Sequence, residues 1–515
     1  MTNSEGLYTG NTAYYAYHKF KKRISPRAGF NTGYFQVEIT RERGARPLKL
    51  RKPATAAVFY TAGGITQKIA GVISTAVFTR LLLPYEFGLY SAFAGWMGIF
   101  TVFATLGLPG VAIYRGLQTS CGREREFLSS ALSLLYIIWL TATGSYLLLS
   151  PLINRITTLS VPVTLALLVT VLGTGVSSLY LSYLRYRYSY LRVTLINLLL
   201  SVAVPGAAVV LILTGAARAE ARIISLAAVY AAVAAFITFI IFRGGKKIHA
   251  PGVWRALLST VLPLLPHHAA LSAIAEGGTL IINLLLGRTD AAAYSLAFGI
   301  GLTPSVLTAA ILGSLSPWIL RRCADSGRGR AAEVCAAIFE GLCALLIPFS
   351  LLVPTAMRII APGEYSAALP AGCIAALTVP LRFAAGCASP VFVFLRREKV
   401  QTGISVGCAL LFLCALPLTV PRLGYPGAAV ATLISYALIA FTSALTAARL
   451  IGVKIPLLRI SFFFLLTALS VTLSLYLPPI WRGVIFALSL IPPLFCALRL
   501  LPLCREAEMG ASCPG

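Results

Sequence analysis

Apolar runs of about twenty residues recur along nearly the whole chain after Arg51, and this pattern constrains the fold more than any other feature. A helix of about twenty residues is long enough to cross the hydrocarbon core of a bilayer. The chain is 58% hydrophobic and only 11% charged, whereas soluble domains carry about a quarter charged residues. The alternating pattern of barrel strands does not occur, so the sequence predicts an all-α polytopic membrane protein.

The breaks between the runs predict about fourteen transmembrane helices. They form two six-helix lobes, residues 54–242 and 253–453, joined by a hinge at 243–252, and residues 454–515 add a helix pair and a short tail. The predicted spans are Ala54–Leu83, Phe87–Pro109, Phe127–Pro151, Leu159–Leu184, Val193–Leu213, Ile223–Phe242, Val253–Gly287, Ala291–Leu320, Ala331–Ile360, Ala367–Leu395, Val400–Val420, Gly424–Leu450, Leu457–Leu477 and Val484–Leu503.

The net charge of +27 does not indicate nucleic-acid binding, because the basic residues lie in short clusters between apolar runs. Under the positive-inside rule such clusters mark cytoplasmic loops. Every second boundary between predicted spans is richer in Lys and Arg, and the basic N-terminal tail lies on the same side as these richer boundaries. Both termini are therefore predicted to be cytoplasmic. The poorer boundaries carry Arg80, Arg155, Arg218, Arg222, Arg288, Arg358, Arg422 and Arg482.

Residues 1–53 are polar and strongly basic, and they have no apolar core followed by a cleavage site. They are predicted to form a disordered cytoplasmic tail that can lie on anionic membrane lipid. The eleven cysteines are scattered, mostly in apolar runs, with no zinc-type spacing. Neither a metal site, a cofactor nor a catalytic nucleophile–base pair is predicted.

An internal repeat points to duplication. Leu284–Ser295 (LLLGRTDAAAYS) repeats Leu81–Ser91 (LLLPYEFGLYS) with one inserted residue. Helix breakers fall in matching spans of the two halves, a pattern typical of interrupted helices around a central substrate path. The breakers are Gly63, Gly64 and Gly71 in the first span, and Pro263, Pro266, Gly277 and Gly278 in the seventh.

Three cations are candidate ligands for an anionic substrate. Lys68 lies in the middle of the first span and Arg382 well inside the tenth, where a charge usually faces a cavity or a partner. Arg80 is closer to the outer boundary, where interfacial anchoring explains it nearly as well. Lys and Arg match a desolvated phosphate, so the predicted cavity favours an anion.

Acidic and imidazole groups in the membrane are scarce. Glu276 is a candidate for proton or sodium coupling, or it neutralises Lys68. His267 and His268, just after Pro266, could bind a head group or respond to pH, although a satisfied polar pair is the more common outcome. Glu340 is interpreted as structural.

Thr79–Arg115 (TRLLLPYEFGLYSAFAGWMGIFTVFATLGLPGVAIYR) resembles the opening signature of the Wzx-type polysaccharide flippases. These belong to the multidrug/oligosaccharidyl-lipid/polysaccharide (MOP) exporter superfamily. The seventh and eighth spans, Gly363-Glu364-Tyr365, and Leu423–Tyr436 (LGYPGAAVATLISY) are also similar, so the resemblance covers about Ala54 to Val453. Family members often carry an acid near the end of helix seven, where this chain has Gly278 and the nearest acid is Glu276.

The resemblance implies a MATE-like fold whose two lobes enclose a cavity that opens alternately to each side of the plasma membrane. It implies transport of an undecaprenyl-pyrophosphate-linked oligosaccharide. Lys68 and Arg80 fall where related lipid II flippases place cavity arginines. A cation-coupled multidrug antiporter is the alternative, and a membrane glycosyltransferase is disfavoured because no predicted outer loop is long enough for a catalytic subdomain.

Overall fold

A computed structural model describes residues 51–476 apart from positions 121, 188, 216–217 and 325–327, with four isolated residues beyond them. The predicted tail up to residue 50 and most of the predicted span Val484–Leu503 lie outside the described residues. Within the described part the chain is helical and contains no strand, which confirms the all-α prediction.

Fifteen α-helices follow one another in the described residues. They are α1 Arg51–Leu81, α2 Pro84–Thr105, α3 Val111–Thr119, α4 Glu124–Thr157, α5 Val161–Tyr186, α6 Tyr190–Leu213, α7 Arg218–Gly244, α8 Pro251–Val261, α9 Leu265–Leu285, α10 Arg288–Gly301, α11 Ser305–Ala324, α12 Arg328–Ile360, α13 Leu369–Phe394, α14 Glu398–Ile451 and α15 Leu457–Tyr476. Short 3₁₀ turns, Leu262–Leu264 and Gly363–Ala368, precede α9 and α13.

Ten helical segments of the described chain are long and apolar enough to cross a membrane, or eleven if the pair bent by 50° between α10 and α11 forms one span. The predicted number of fourteen is therefore not established. Two of the predicted spans fall within the 54-residue α14, whose backbone is non-helical at Gly424. The first helix, α1, is long enough to cross and is not counted among the ten.

The predicted interruption of the first span is wrong. α1 runs as one helix through Gly63, Gly64 and Gly71, since a helical glycine costs only about 1 kcal/mol. The seventh span is interrupted at Leu262–Leu264, beside Pro263. Gly277 and Gly278 lie inside α9, where other side chains pack closely against them. A Cβ added to Gly277 would lie 2.8 Å from the Phe412 ring, and one added to Gly278 would lie 2.6 Å from the Tyr294 hydroxyl.

The helices pack as two groups. In the first group α5 packs against α7, α2 and α4, and α6 joins α1 and α7. In the second group α14 packs against α9 and α13, while α15 packs against α12 and α13. The α12–α15 contact contains a paired charge: Arg459 donates from Nη2 to the buried Glu340 carboxylate at 2.8 Å, and a second bond forms from Nε. Glu340 thus has a structural partner.

Hydrogen bonds between helix ends define two faces of the bundle. Trp254 of α8 donates to Ser130 near the start of α4, and His267 is 2.8 Å from Ser405 near the start of α14. We call this end, which carries Arg125, Arg187, Arg243 and Arg397, the basic face. We call the opposite end, which carries Arg80, Arg155, Arg288 and Arg358, the Arg80 face.

The repeat predicted from the sequence forms the contact between the two helix groups. α2 and α10 begin at the repeated segments and pack against each other. Ser295 Oγ donates to Ser91 Oγ at 2.7 Å, and these two residues are equivalent in the repeat. Equivalent residues meet in this way when they lie on a local twofold axis.

The α2–α10 contact is close enough to exclude side chains. A Cβ added to Gly88 would overlap the backbone carbonyl of Arg288. We expect Gly88→Ala to destabilise the protein by about 1–3 kcal/mol, because the backbone of α10 must move to admit a methyl group. The measurement is the apparent melting temperature of purified protein in detergent.

Gly299→Ala is the matched control for Gly88→Ala. Gly299 lies on α10, and an added Cβ there meets no atom within 4 Å. The Gly299→Ala variant is expected to have the same melting temperature as the wild type or a slightly higher one. Alanine in the middle of a helix is more stable than glycine by about 0.5–1 kcal/mol. Equal melting temperatures for the two variants would contradict the close contact.

Candidate functional site

Arg382 is held in the middle of α13. At about 1.5 Å per residue it lies about 18–20 Å from either end of that helix. Its Nη2 donates to the hydroxyl of Tyr436 on α14 at 2.7 Å, and its guanidinium carbon lies 4.3 Å from the centre of the same ring. The Arg382 side chain is partly exposed and its Nε has no hydrogen-bond partner.

Glu276 lies on α9 beside Arg382, which is its charged neighbour. The two residues form no ion pair within 4 Å, among the side chains that the structure describes. Glu276 also reaches the first helix group, because an added Cβ on Gly98 of α2 would lie 2.9 Å from its Cγ. The sequence had left open that Glu276 neutralises Lys68, but its neighbour is Arg382.

Two tyrosines complete this group, which we call the central cluster: Glu276, Tyr294, Arg382 and Tyr436. The hydroxyl of Tyr294 packs against Gly278, and Tyr294 interacts electrostatically with both Glu276 and Arg382. Arg382 can donate five N–H bonds and the carboxylate is not bonded to it. The cluster therefore offers an arginine with free donors at mid-helix.

Lys68 lies apart from the central cluster, on the face of α1 that is turned toward the second helix group. Gly64, one turn earlier on that face, lies near α11, because an added Cβ on Gly64 would be 3.9 Å from Val306. Further along, Phe78 and Leu82 are buried against α10 and α12. Between these two contacts Lys68 and Gly71 are exposed.

The exposure of α1 around Lys68 indicates an opening between the helix groups. Residues 65–69 are all exposed, and five consecutive residues cover every side of a helix. The side of α1 that is turned toward the second helix group is therefore exposed in this stretch. Lys68 occupies the face concerned, and it has no hydrogen bond or ion pair with the residues described.

Arg80 lies in the last turn of α1, where the sequence left open either interfacial anchoring or contact with a ligand. Its Nη2 donates to the Ile359 carbonyl at 2.6 Å, and Nη1 reaches Ala76 and Ile360 carbonyls. Thr79 beside it donates to Ile360 at 2.7 Å. Arg80 thus ties α1 to the end of α12 on the Arg80 face, and the structure does not bring it to Arg382.

The two histidines are also separate from the central cluster. They lie at the start of α9, two to three turns before Glu276. His267 contacts Ser405, and His268 lies 3.4 Å from the position of an added Cβ on Gly107 at the end of α2. Both remain candidates for coupling on position alone, at the basic face.

The Arg80 face is closed by bonds between the helix groups. Arg288 donates to the Tyr85 hydroxyl at 2.8 Å and to the Thr158 carbonyl at 3.1 Å. Asn283 donates to Thr158 Oγ1 at 3.1 Å. Together with Thr79, Arg80 and the Ser91–Ser295 bond, these contacts join the groups at this face, while α1 is open around Lys68.

Sequence reasoning missed Arg222, which it placed only among the charges of the poorer boundary. The side chain is 8% exposed, and its guanidinium carbon lies 3.6 Å from the centre of the Tyr90 ring and 4.2 Å from that of Phe78. Its Nη1 has no partner. Cation–π contacts with these two rings and with that of Phe87, whose centre is 5.2 Å away, stabilise this buried charge next to the contact between the groups.

Arg222→Ala is expected to lower stability by about 2–4 kcal/mol, because both the stacking and the packing of a buried side chain are lost. The apparent melting temperature in detergent checks this. Arg218→Ala, one turn earlier and exposed with one bond to the Leu81 carbonyl, is the control and should change little. An equal loss of melting temperature in both variants would contradict the stabilising role of the aromatic rings around Arg222.

The described helices have the fold of a membrane transporter of the MOP superfamily. An inward-facing multidrug resistance MATE transporter superposes with a TM-score of 0.57 at 15% identity, covering 77% of this chain and 98% of that one. An outward-facing MATE transporter superposes with a TM-score of 0.54 at 16% identity, covering 78% of this chain and 96% of that one. A MOP superfamily transporter from Pyrococcus furiosus, described as having a binding pocket of reverse polarity, gives 0.53 at 16%, with 78% and 96% covered.

Residues 55–322 match the polysaccharide biosynthesis protein family, and the chain belongs to that family. No curated protein matches the sequence. Family and fold together define a multi-pass membrane transporter. They confirm the superfamily predicted from Thr79–Arg115 and the later segments.

Proposed function

We propose that this protein is a flippase that moves an undecaprenyl-pyrophosphate-linked oligosaccharide across the cytoplasmic membrane by alternating access. The observation that carries the proposal is Arg382, an arginine at mid-helix with unused donors and no carboxylate bonded to it. A pyrophosphate is matched by such a guanidinium. Membership of the polysaccharide biosynthesis protein family supports the same substrate class.

Lys68 supplies the second positive charge along the proposed path. It lies on the open part of α1, so the pyrophosphate can pass from Lys68 to Arg382 while the sugars stay in the opening and the prenyl chain stays in lipid. Glu276, between α2 and Arg382, is proposed as the group that couples transport to H⁺ or Na⁺, since it contacts both helix groups.

Purified protein in vesicles tests the function with fluorescent undecaprenyl-pyrophosphate-linked N-acetylglucosamine as probe. Flipping is measured as the fraction of the probe that an impermeant quencher can reach. The proposal expects flipping by the protein and none by empty vesicles. Export of a cationic dye without flipping would instead establish the multidrug antiporter, and sugar transfer to an acceptor would establish an enzyme.

Lys68→Ala is expected to reduce flipping by about fivefold or more, since one charge-assisted contact to the pyrophosphate is lost. Lys454→Ala is the control, because it removes a lysine from the loop between α14 and α15. Protein level and melting temperature should match wild type in both variants. Full activity of Lys68→Ala would remove Lys68 from the path.

A further inference from the structure

A charged cavity lies on the basic face, within the first helix group. It has a volume of about 770 Å³ and is lined by the ends of α4, α5, α6 and α7. Four arginines face it: Arg125, Arg187, Arg192 and Arg243. Arg125, Arg192 and Arg243 lie on α4, α6 and α7, and Arg187 directly follows the end of α5, so the fold brings together residues from distant parts of the sequence.

The charge of the cavity is unbalanced. Among the residues that the structure describes, no acidic side chain lines it. Glu124 interacts electrostatically with Arg187, and Glu126 lies 3.8 Å from Lys247 outside the lining. Four guanidinium groups around one open space repel one another, and an anion bound between them relieves that repulsion. The cavity therefore selects a multiply charged or phosphate-bearing ligand.

Part of this arrangement is fixed in advance. Arg187 donates from Nη1 to the Tyr183 hydroxyl at 2.9 Å, and the rings of Tyr180 and Tyr183 lie 6.3 Å apart in the same wall. That hydrogen bond stabilises the charged form and raises the pKa of the Arg187 guanidinium. Tyrosine hydroxyls beside arginines are suitable donors to phosphate oxygens.

The surroundings of the cavity favour a lipid over a free anion. Its inner wall includes Leu128 and Phe239, and Phe239 is 61% exposed on α7. On the neighbouring α6, Leu195 and Leu199 are 62% and 60% exposed. Apolar side chains that continue from a charged cavity into the membrane-facing surface fit a headgroup with attached acyl chains.

We propose that this cavity binds the phosphate headgroup of an anionic phospholipid from the leaflet at the basic face. The bound lipid links the ends of α4 to α7 and stabilises the first helix group. This site is separate from the proposed translocation path, because none of its arginines belongs to the central cluster or to the open part of α1. The experiment on this lipid site therefore does not depend on whether the proposed substrate is correct.

The test compares purified full-length protein in phosphatidylcholine and in mixtures with phosphatidylglycerol. Anionic lipid is expected to raise the melting temperature of the wild type. In Arg187→Gln/Arg192→Gln the apparent affinity for phosphatidylglycerol should fall about 30-fold, since each arginine near the headgroup changes binding by a factor of about 5.5. Arg125→Gln/Arg243→Gln replaces it if the first variant unfolds in phosphatidylcholine.

Arg396→Gln/Arg397→Gln is the matched control, since it removes the same charge from the basic face outside the cavity. It should keep wild-type affinity. An equal loss in the control would overturn the site in favour of general surface charge. Inorganic phosphate or pyrophosphate that gives the full stabilisation without lipid would overturn the assignment to a phospholipid. So would the lack of any effect of phosphatidylglycerol.

Discussion

Replacement of Arg382 by alanine is expected to reduce flipping at least about tenfold, with protein level and melting temperature near those of the wild type. A hydrogen bond to a charged group contributes about 1.5–3 kcal/mol, and Arg382 offers several donors to a pyrophosphate. The measurement is the rate at which the fluorescent pyrophosphate-linked probe crosses the vesicle membrane.

The variants around Arg382 separate charge from geometry. Arg382→Lys keeps the charge but loses the planar fork, and should give an intermediate rate. Tyr436→Phe removes the hydroxyl that accepts the 2.7 Å bond while keeping the ring beneath the guanidinium, and should have a smaller effect. Arg358→Ala, at the end of α12, is the control for the loss of an arginine.

A full rate of flipping in Arg382→Ala would contradict the proposal that Arg382 binds the pyrophosphate, whatever the family of the chain. A loss of rate that follows a loss of folded protein would assign Arg382 to structure instead. The pair of measurements decides between these outcomes, because Glu276 loses its charged neighbour in Arg382→Ala, and a destabilising effect of that loss would lower the melting temperature.

The sequence predicted those parts of the fold that follow from hydropathy and repetition. Long apolar runs predicted the helices, and the repeated segments at Leu81 and Leu284 predicted the elements that meet at the pseudo-twofold axis. Charges inside a membrane span are rare, so Lys68 and Arg382 could be selected without a structure. Their roles as ligands stay predictions.

Tertiary contacts, which the sequence does not display, decided the rest. The sequence placed both Arg80 and Arg222 at boundaries on the same side of the membrane. In the structure, Arg80 binds carbonyls of α12, whereas Arg222 stacks on aromatic rings of α1 and α2. The arginines of the basic cavity served only to orient the loops, because the sequence does not show which of them converge. Gly63, Gly64 and Gly71 were interpreted as breakers, but α1 runs through them as one helix.

A cross-link between Ser91 and Ser295 provides the sharpest test of alternating access. The two hydroxyl oxygens are 2.7 Å apart and belong to opposite helix groups, so cysteines at both positions lie within reach of a disulfide. Ser91→Cys/Ser295→Cys, once oxidised, is expected to lose flipping by about tenfold or more, since the Arg80 face can no longer open. A reductant should restore the rate.

The single variants Ser91→Cys and Ser295→Cys, treated with the same oxidant, control for the chain's own eleven cysteines and for the loss of the hydroxyl bond. The two helix groups are also joined at this face by Arg80, Thr79 and Arg288, which are weak bonds that thermal motion can break. A disulfide at the pseudo-twofold axis, unlike these bonds, would not break by thermal motion.

If cross-linked protein, verified by mass, still flipped the probe at the full rate, the substrate would have to leave without separation of α2 from α10. The opening around Lys68 would then lead to the membrane by another route.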